Sequence, residues 1–239
     1  MTGWAARRFW KGVTIEEDDG GLTVKLDARP LRTPGKRPLT LPTRALAEAV
    51  AEEWRAVDGT VDPRRMPFTR SANSAVDKVA TQFDEVAGLI AAYGGSDLLC
   101  YRTEDAGELA RRQTEAWDPI LDWARRKHGA DLRVTSGIAP VRQPEEALRR
   151  LAAAVQGTTP FELTALHDLV SLSGSLLIGL AATEAASDPE ALWRKSRIDE
   201  DWQAELWGAD EEAVEAAEAK RRDFLHAHQF WWLLQNATN

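Results

Sequence analysis

Val13–Trp54 reads VTIEEDDGGLTVKLDARPLRTPGKRPLTLPTRALAEAVAEEW, and the fold turns on a change of period inside it. Val13 and Ile15 alternate with polar residues, and Leu22, Val24 and Leu26 do the same beyond Asp18-Asp19-Gly20-Gly21. Alternation with a period of two marks a half-buried strand, and Asp-Gly and Gly-Gly supply the positive φ that a tight hairpin needs. Pro30, Pro34-Gly35 and Pro38 punctuate further short strands around Leu31-Arg32-Thr33 and Leu39-Thr40-Leu41. About four or five short strands fit before the pattern changes, so the predicted sheet is small. From Thr43 the apolar residues fall at Leu46, Val50, Trp54 and Val57, a helical stripe that Thr43 is placed to cap.

Beyond that point the period stays helical. Val76, Val79, Phe83, Val86 and Ile90 recur at alternating three- and four-residue steps, predicting one amphipathic helix that Gly94-Gly95 ends. Leu109, Trp117, Ile120, Leu121 and Ala124 form another face. Ser136–Pro144 reads as a linker, with Pro144 at a helix start, and Leu148, Leu151 and Val155 stripe a short helix. Phe161–Ala185 is apolar on nearly every side, the profile of a helix at the centre of a bundle, with Gly174 and Gly179 predicted to permit close approach. Ser171, Ser173 and Ser175 interrupt it, and Asp168 and Glu184 flank it, so it does not read as a membrane span. Asp188-Pro189 opens the next helix, Gly208 breaks or kinks it, and Asp210 caps a last one reaching Leu234. The predicted class is α+β: a small β-rich domain with the first helix over residues 1–60, then a larger all-helical domain over 61–239.

Composition narrows the classes of function. A hydrophobic share of 44% and a charged share of 28% are globular values. A single cysteine, Cys100, excludes an internal disulfide and suits a reducing compartment. The amino-terminal MTGWAARRFWKG has no apolar core of a secretory signal, so a bacterial-type cytoplasmic location is expected. The net charge of −8 is uneven: residues 160–239 hold 15 acids against 6 Lys and Arg. That acidity repels a polyanion, so nucleic acid is a poor partner, while it suits either solubility or a basic client.

Catalytic and ligand motifs are sparse. His226 and His228 are two apart, on different sides of a helix, and cannot chelate as an i, i+4 pair. Neither a phosphate loop nor a nucleophile elbow is readable, and Gly94-Gly95-Ser96-Asp97 runs into Leu98-Leu99, not into Lys-Ser or Lys-Thr. Cys100 reads as a small core residue, and no cofactor or metal is expected. Trp54, Trp117, Trp123 and Trp193 read as core, whereas Trp231 and Trp232, adjacent on a helix, cannot both face inward; one is expected to be exposed or packed on another chain. Arg29, Arg32, Lys36 and Arg37 form a basic group, either a solvated loop or a partner contact. The sharpest feature is an acidic-aromatic stripe. On a continuous helix Glu200, Gln203, Trp207 and Glu211 share one face, with Asp201 and Glu205 partly round its side. It reads two ways: a solvated face with Trp207 turned into the core, or a recognition face with Trp207 as anchor and acids for a basic partner.

Several blocks carry a resemblance. They are Leu26–Trp54, MPFTRSANSAVDKV (Met66–Val79), YGGSDLLCYR (Tyr93–Arg102), LVSLSGSLLIGLA (Leu169–Ala181) and SRIDEDWQAELWGADEE (Ser196–Glu212). In that order they resemble the assembly chaperones of the F-type ATP synthase alpha subunit. That family's pattern of acid, Gln, Trp-Gly and acid is met by Glu200, Gln203, Trp207-Gly208 and Glu211. The tail HAHQFWWLL (His226–Leu234) has no counterpart in it. The resemblance implies an ATP-independent chaperone that binds the unassembled alpha subunit and prevents its aggregation until beta arrives. It implies no catalytic residue, and a mitochondrial matrix location if the source is eukaryotic. It also favours the recognition face; the expected partner-binding residues are Glu200, Gln203, Glu205, Trp207 and Glu211, with Arg29 and Arg32. Two rivals stay open on the residues alone: a small-molecule enzyme using acids and arginine in an interdomain cleft, and an adaptor subunit without chaperone action.

Overall fold

The computed structural model describes residues 7–18 and 20–235, and the chain is α+β. It divides into two compact units. One holds the described residues up to Phe83 together with Thr159–Ala165 and the described residues from Gln229; the other holds Asp84–Thr158 and Leu166–His228. This division differs from a linear boundary at residue 60, because two later segments return to complete the first unit.

In the first unit, β1 (Val13–Asp18) and β2 (Gly21–Leu26) pair antiparallel, from Val13 opposite Leu26 to Asp18 opposite Gly21. Gly21 has a φ of 130°, as the predicted turn requires, while Asp19 lies outside the described residues. β3 (Arg29–Pro30) and β4 (Thr40–Leu41) both pair with β2, which is therefore central. Its Leu22, Val24 and Leu26 are buried, as the alternation predicts. Helix α1 (Arg44–Arg55) packs on β1 and β2 through Leu46, Ala47, Val50 and Ala51. Its cap is as predicted: the Thr43 Oγ1 accepts from Leu46 N–H at 3.2 Å and donates to the Leu233 carbonyl at 2.6 Å. Trp231 and Trp232 are both half-buried, and Trp231 packs against this core, so neither member of the pair is exposed.

The helix predicted through Val76–Ile90 is broken. It forms as α2 (Pro67–Asp77), a 3₁₀ turn at Val79–Thr81, and α3 (Phe83–Ala92). Thr81 Oγ1 bonds the Lys78 carbonyl at 2.8 Å, and Asp84 and Glu85 open α3 with negative charge where a helix dipole favours it.

In the second unit α4 (Glu108–His128) buries Trp117, Ile120 and Ala124, and α5 (Glu145–Gln156) buries Ala147, Leu151 and Val155. The apolar stretch expected as one helix is two, α6 (Pro160–Ser173) and α7 (Leu176–Ala182). Gly174, at φ 70°, ends the first, and Ser175 Oγ caps the second by accepting from Ile178 N–H at 3.0 Å. The segment is nonetheless central: Leu169, Val170, Leu176, Leu177 and Ile178 are fully buried. A parallel pair, β5 (Tyr101–Arg102) with β6 (Thr135–Ser136), was not legible in the sequence. Cys100 is buried, and burial pushes its thiol up to about 12, which makes it the inert core residue expected. Helices α8 (Pro189–Ser196), α9 (Ile198–Trp207) and α10 (Glu211–Gln235) follow. Among the described residues no helix is long and apolar enough to cross a membrane.

Candidate partner-binding site

Asp188 Oδ1 accepts from Ala191 N–H at 3.1 Å and Pro189 follows, so α8 starts where the sequence places it. α8 buries Leu192, Trp193 and Ser196, and the Trp117 indole donates to the Lys195 carbonyl at 2.7 Å, anchoring it on α4. α9 is different in kind: none of its ten residues is buried. Polar and aromatic contacts hold it to α4 instead. Gln113 Nε2 donates to Asp199 at 2.7 Å, and Arg112 pairs with both oxygens of Glu205 at 2.8 and 2.9 Å while lying 5.0 Å from the Trp202 ring. Asp199, Glu200 and Asp201 fill its first turn, where the helix dipole welcomes acids.

Gly208, at φ 88°, ends α9, and Asp210 Oδ2 caps α10 by accepting from Ala213 N–H at 3.0 Å. The expectation of one continuous helical stripe is therefore corrected. Glu200, Gln203 and Trp207 lie on α9 and line a groove of about 570 Å³ together with Trp193, Arg197 and Val214. Glu211 stands beyond the break, in the first turn of α10, and does not line the groove. Glu205 is turned to Arg112 and is also outside the lining. Trp207 is 81% exposed, which excludes its being turned into the core. Leu206 and Val214 are exposed beside it in sequence and across the turn, so the α9–α10 corner presents apolar surface framed by acids. Glu200 pairs with Arg197 at 2.8 Å. Partial desolvation, with Glu205 nearby, raises the Asp201 carboxyl above the usual range against the pull of Arg197.

Sequence reasoning missed Trp193, Arg197 and Val214 as groove residues. Arg197 stands three before Glu200, the ordinary signal of a helical pair, but the turn from α8 to α9 separates their elements. On the first unit, Arg29 lies 5.3 Å from the Phe9 ring, and Arg32 donates to the Lys36 carbonyl at 3.0 Å. They are separate in the chain from the α9 groove and do not share its lining. Among the described residues no group of three or more His, Cys, Asp or Glu is placed to hold a metal.

The chain is similar to proteins of one family. The family profile described as ATP12 chaperone protein matches residues 7–125. The mitochondrial protein atp12 of Schizosaccharomyces pombe is 25% identical over 221 residues, covering 87% of this chain and 76% of that one. The crystal structure of Atp12 from Paracoccus denitrificans is 52% identical, with a TM-score of 0.94 over 97% of this chain and 100% of that one. A point mutant of the P. denitrificans protein superposes as well, with a TM-score of 0.94. The Atu1473 protein of Agrobacterium tumefaciens is 42% identical, with a TM-score of 0.90 over 95% of this chain and 86% of that one.

Proposed function

The chain belongs to the ATP12 chaperone family, and from that premise we propose that it assists assembly of the F-type ATP synthase by holding the unassembled alpha subunit. An alpha subunit without its neighbours exposes apolar interface and aggregates. A holder needs no nucleotide, metal or reaction; it needs a surface that covers such an interface and yields it to beta. The observation that carries this reading is α9, a ten-residue helix with no fully buried residue, which ends on the 81%-exposed Trp207. A helix held to its unit by half-buried and polar contacts keeps an outer face free for a partner. Trp207, with Leu206 and Val214, supplies the apolar anchor, and Glu200, Gln203 and Glu211 supply polarity for a basic rim. Glu205 serves by fixing α9 to Arg112, and Arg29 and Arg32 form a second contact region on the first unit. The compartment we assign is the bacterial cytoplasm, or the mitochondrial matrix for a eukaryotic source.

Light scattering of purified alpha subunit tests this. The wild-type protein should suppress its aggregation without ATP, and calorimetry with Mg-ATP should show no heat of binding. Trp207→Ala and Glu211→Lys should abolish or weaken suppression while shifting stability by less than about 1 kcal/mol, since both sites are exposed. Leu177→Ala, a core truncation costing about 2–5 kcal/mol, should lose suppression only where it unfolds. Full suppression by folded Trp207→Ala would remove α9 from the site.

A further inference from the structure

The first unit holds a cavity of about 480 Å³ that the α9 surface does not involve. Trp54, Val61, Pro63 and Met66 make its apolar wall, and Asn73 of α2 also lines it. Its size lies in the range of sites that take a ligand. Two polar atoms of these side chains, Trp54 Nε1 and Asn73 Oδ1, are withdrawn from solvent and have no hydrogen-bond partner. Such atoms are rare in a folded protein because water has been removed without replacement. Packing does not account for the indole: Trp54 is already held edge-on by Trp10, whose own Nε1 donates to the Trp54 carbonyl at 3.3 Å.

Charge surrounds the same cavity. Arg32, Arg70 and Lys78 line it, all three are exposed, and none forms a salt bridge among the described residues. Asp77, the carboxylate of the lining, is already engaged by Thr33 Oγ1 at 2.7 Å and Gly35 N–H at 2.8 Å. The lining therefore carries one unmet donor, one unmet acceptor, an apolar wall and a positive rim. A peptide unit has both complements, a carbonyl and an N–H. A simple carboxylate offers acceptors only and leaves Asn73 Oδ1 unmet. We propose that this cavity seats an extended client segment in which an apolar side chain is flanked by acidic residues. The proposal rests on the client-holding role for the origin of that segment, and adds a second site of opposite charge preference to the acidic α9 surface.

Fluorescence anisotropy on the full-length protein decides it, using a fluorescein-labelled peptide with a central Leu-Phe flanked by glutamates and a lysine-flanked counterpart. The glutamate peptide should bind about tenfold more tightly at low salt. The double variant Arg70→Glu with Lys78→Glu, both at exposed positions, should weaken it about tenfold. Trp54→Phe keeps an aromatic side chain but loses the indole N–H and some packing on Trp10. Measured below its own melting temperature, where it is folded, this variant should bind the peptide severalfold more weakly. Trp207→Ala should leave peptide binding as it was. Equal affinity for the two peptides, an indifferent double variant, or displacement of the peptide by octanoate at matched concentration overturns the proposal; the last would mark a small-molecule pocket. Capture of alpha subunit is measured beside it. No capture by wild-type protein defeats the chaperone reading, whereas capture without peptide binding defeats this inference alone.

Discussion

Two half- or fully buried carboxylates set helix starts from far along the chain. Asp97 is fully buried and accepts from Leu99 N–H at 3.1 Å, Ser175 Oγ at 2.8 Å and Leu177 N–H at 3.0 Å. Glu53 accepts from Phe68 N–H at 2.7 Å, Thr69 N–H at 2.8 Å and Thr69 Oγ1 at 2.6 Å. The first holds the amino end of α7; the second holds that of α2, whose N-cap residue Met66 has no side chain to do so. Each carboxylate meets otherwise orphaned amides at the positive end of a helix dipole. Neither role is legible in the sequence, because capping motifs are read within a few residues and Leu177 lies 80 residues from Asp97. Removing Asp97 with alanine leaves those buried donors unmet, so Asp97→Ala should cost about 3 kcal/mol or more in urea unfolding. Burial raises the Asp97 carboxyl above its ordinary 3.8, against its hydrogen bonds, which lower it. The folded state therefore keeps a proton that the unfolded chain has released, and the contribution of this group to stability falls as pH climbs from 3.8 through the folded value. The stability gap between wild type and Asp97→Ala should accordingly narrow as pH rises through that window. A gap that widens instead would show that the native site prefers the ion.

At the scale of elements, Gly174 and Gly179 sit five apart in one apolar stretch and do opposite things. A Cβ on Gly179 would stand 2.4 Å from Val170 Cγ2 and 3.2 Å from the Val170 backbone nitrogen, so the glycine lets α7 close on α6. Gly174 has open space around it and a φ of 70°, so its service is conformational. Gly179→Ala should therefore cost about 1–3 kcal/mol by overpacking. Gly174→Asn, which tolerates left-handed backbone, should cost well under 1 kcal/mol, and Gly174→Val distinctly more. Equal penalties for Gly179→Ala and Gly174→Asn would contradict this division of roles. The stretch also shows where sequence reading stops. The hairpin, the Thr43 cap, α1 and the Asp210 cap are legible because their signals are local: alternation, a capping side chain, a stripe on one face. The apolar run Phe161–Ala185 reveals burial but not its break, since residues apolar on all sides carry no phase in which a change of axis would register. The β5–β6 pair is two residues a side and offers no alternation at all. For the α9 groove, Glu200, Gln203 and Trp207 are legible in the sequence, Trp193, Arg197 and Val214 are not, and Glu205 and Glu211 fall outside its lining. Gly208 divides Glu211 from α9, and an arginine from a distant helix takes Glu205 away from the surface.

The whole chain carries its charge unevenly, and that bears on how a client is met. The 15 acids of residues 160–239 stand against 6 Lys and Arg, while the net charge of the protein is −8. Several of those acids, Glu205, Glu200 and Glu190 among them, are paired with Arg112, Arg197 and Arg221 and project little field. Glu211 and Glu212, at the start of α10, form no salt bridge among the described residues and remain available at long range. Exposed charge of this kind acts mainly on encounter, and a desolvated aromatic anchor mainly on release. The two parts of the proposed site should therefore separate in kinetics. In surface-plasmon measurements with immobilised alpha subunit, the wild-type association rate should fall as salt rises from 50 to 300 mM, because the Debye length shrinks toward a few ångströms. Glu211→Lys should lower the low-salt association rate severalfold and flatten its salt dependence, with dissociation little changed. Trp207→Ala should leave the salt slope intact and speed dissociation by about tenfold or more, the scale of a lost aromatic hot spot. If Glu211→Lys instead speeds release and spares association, the acid is a buried contact at the centre of the interface. The apolar corner of Leu206, Trp207 and Val214 would then be its edge.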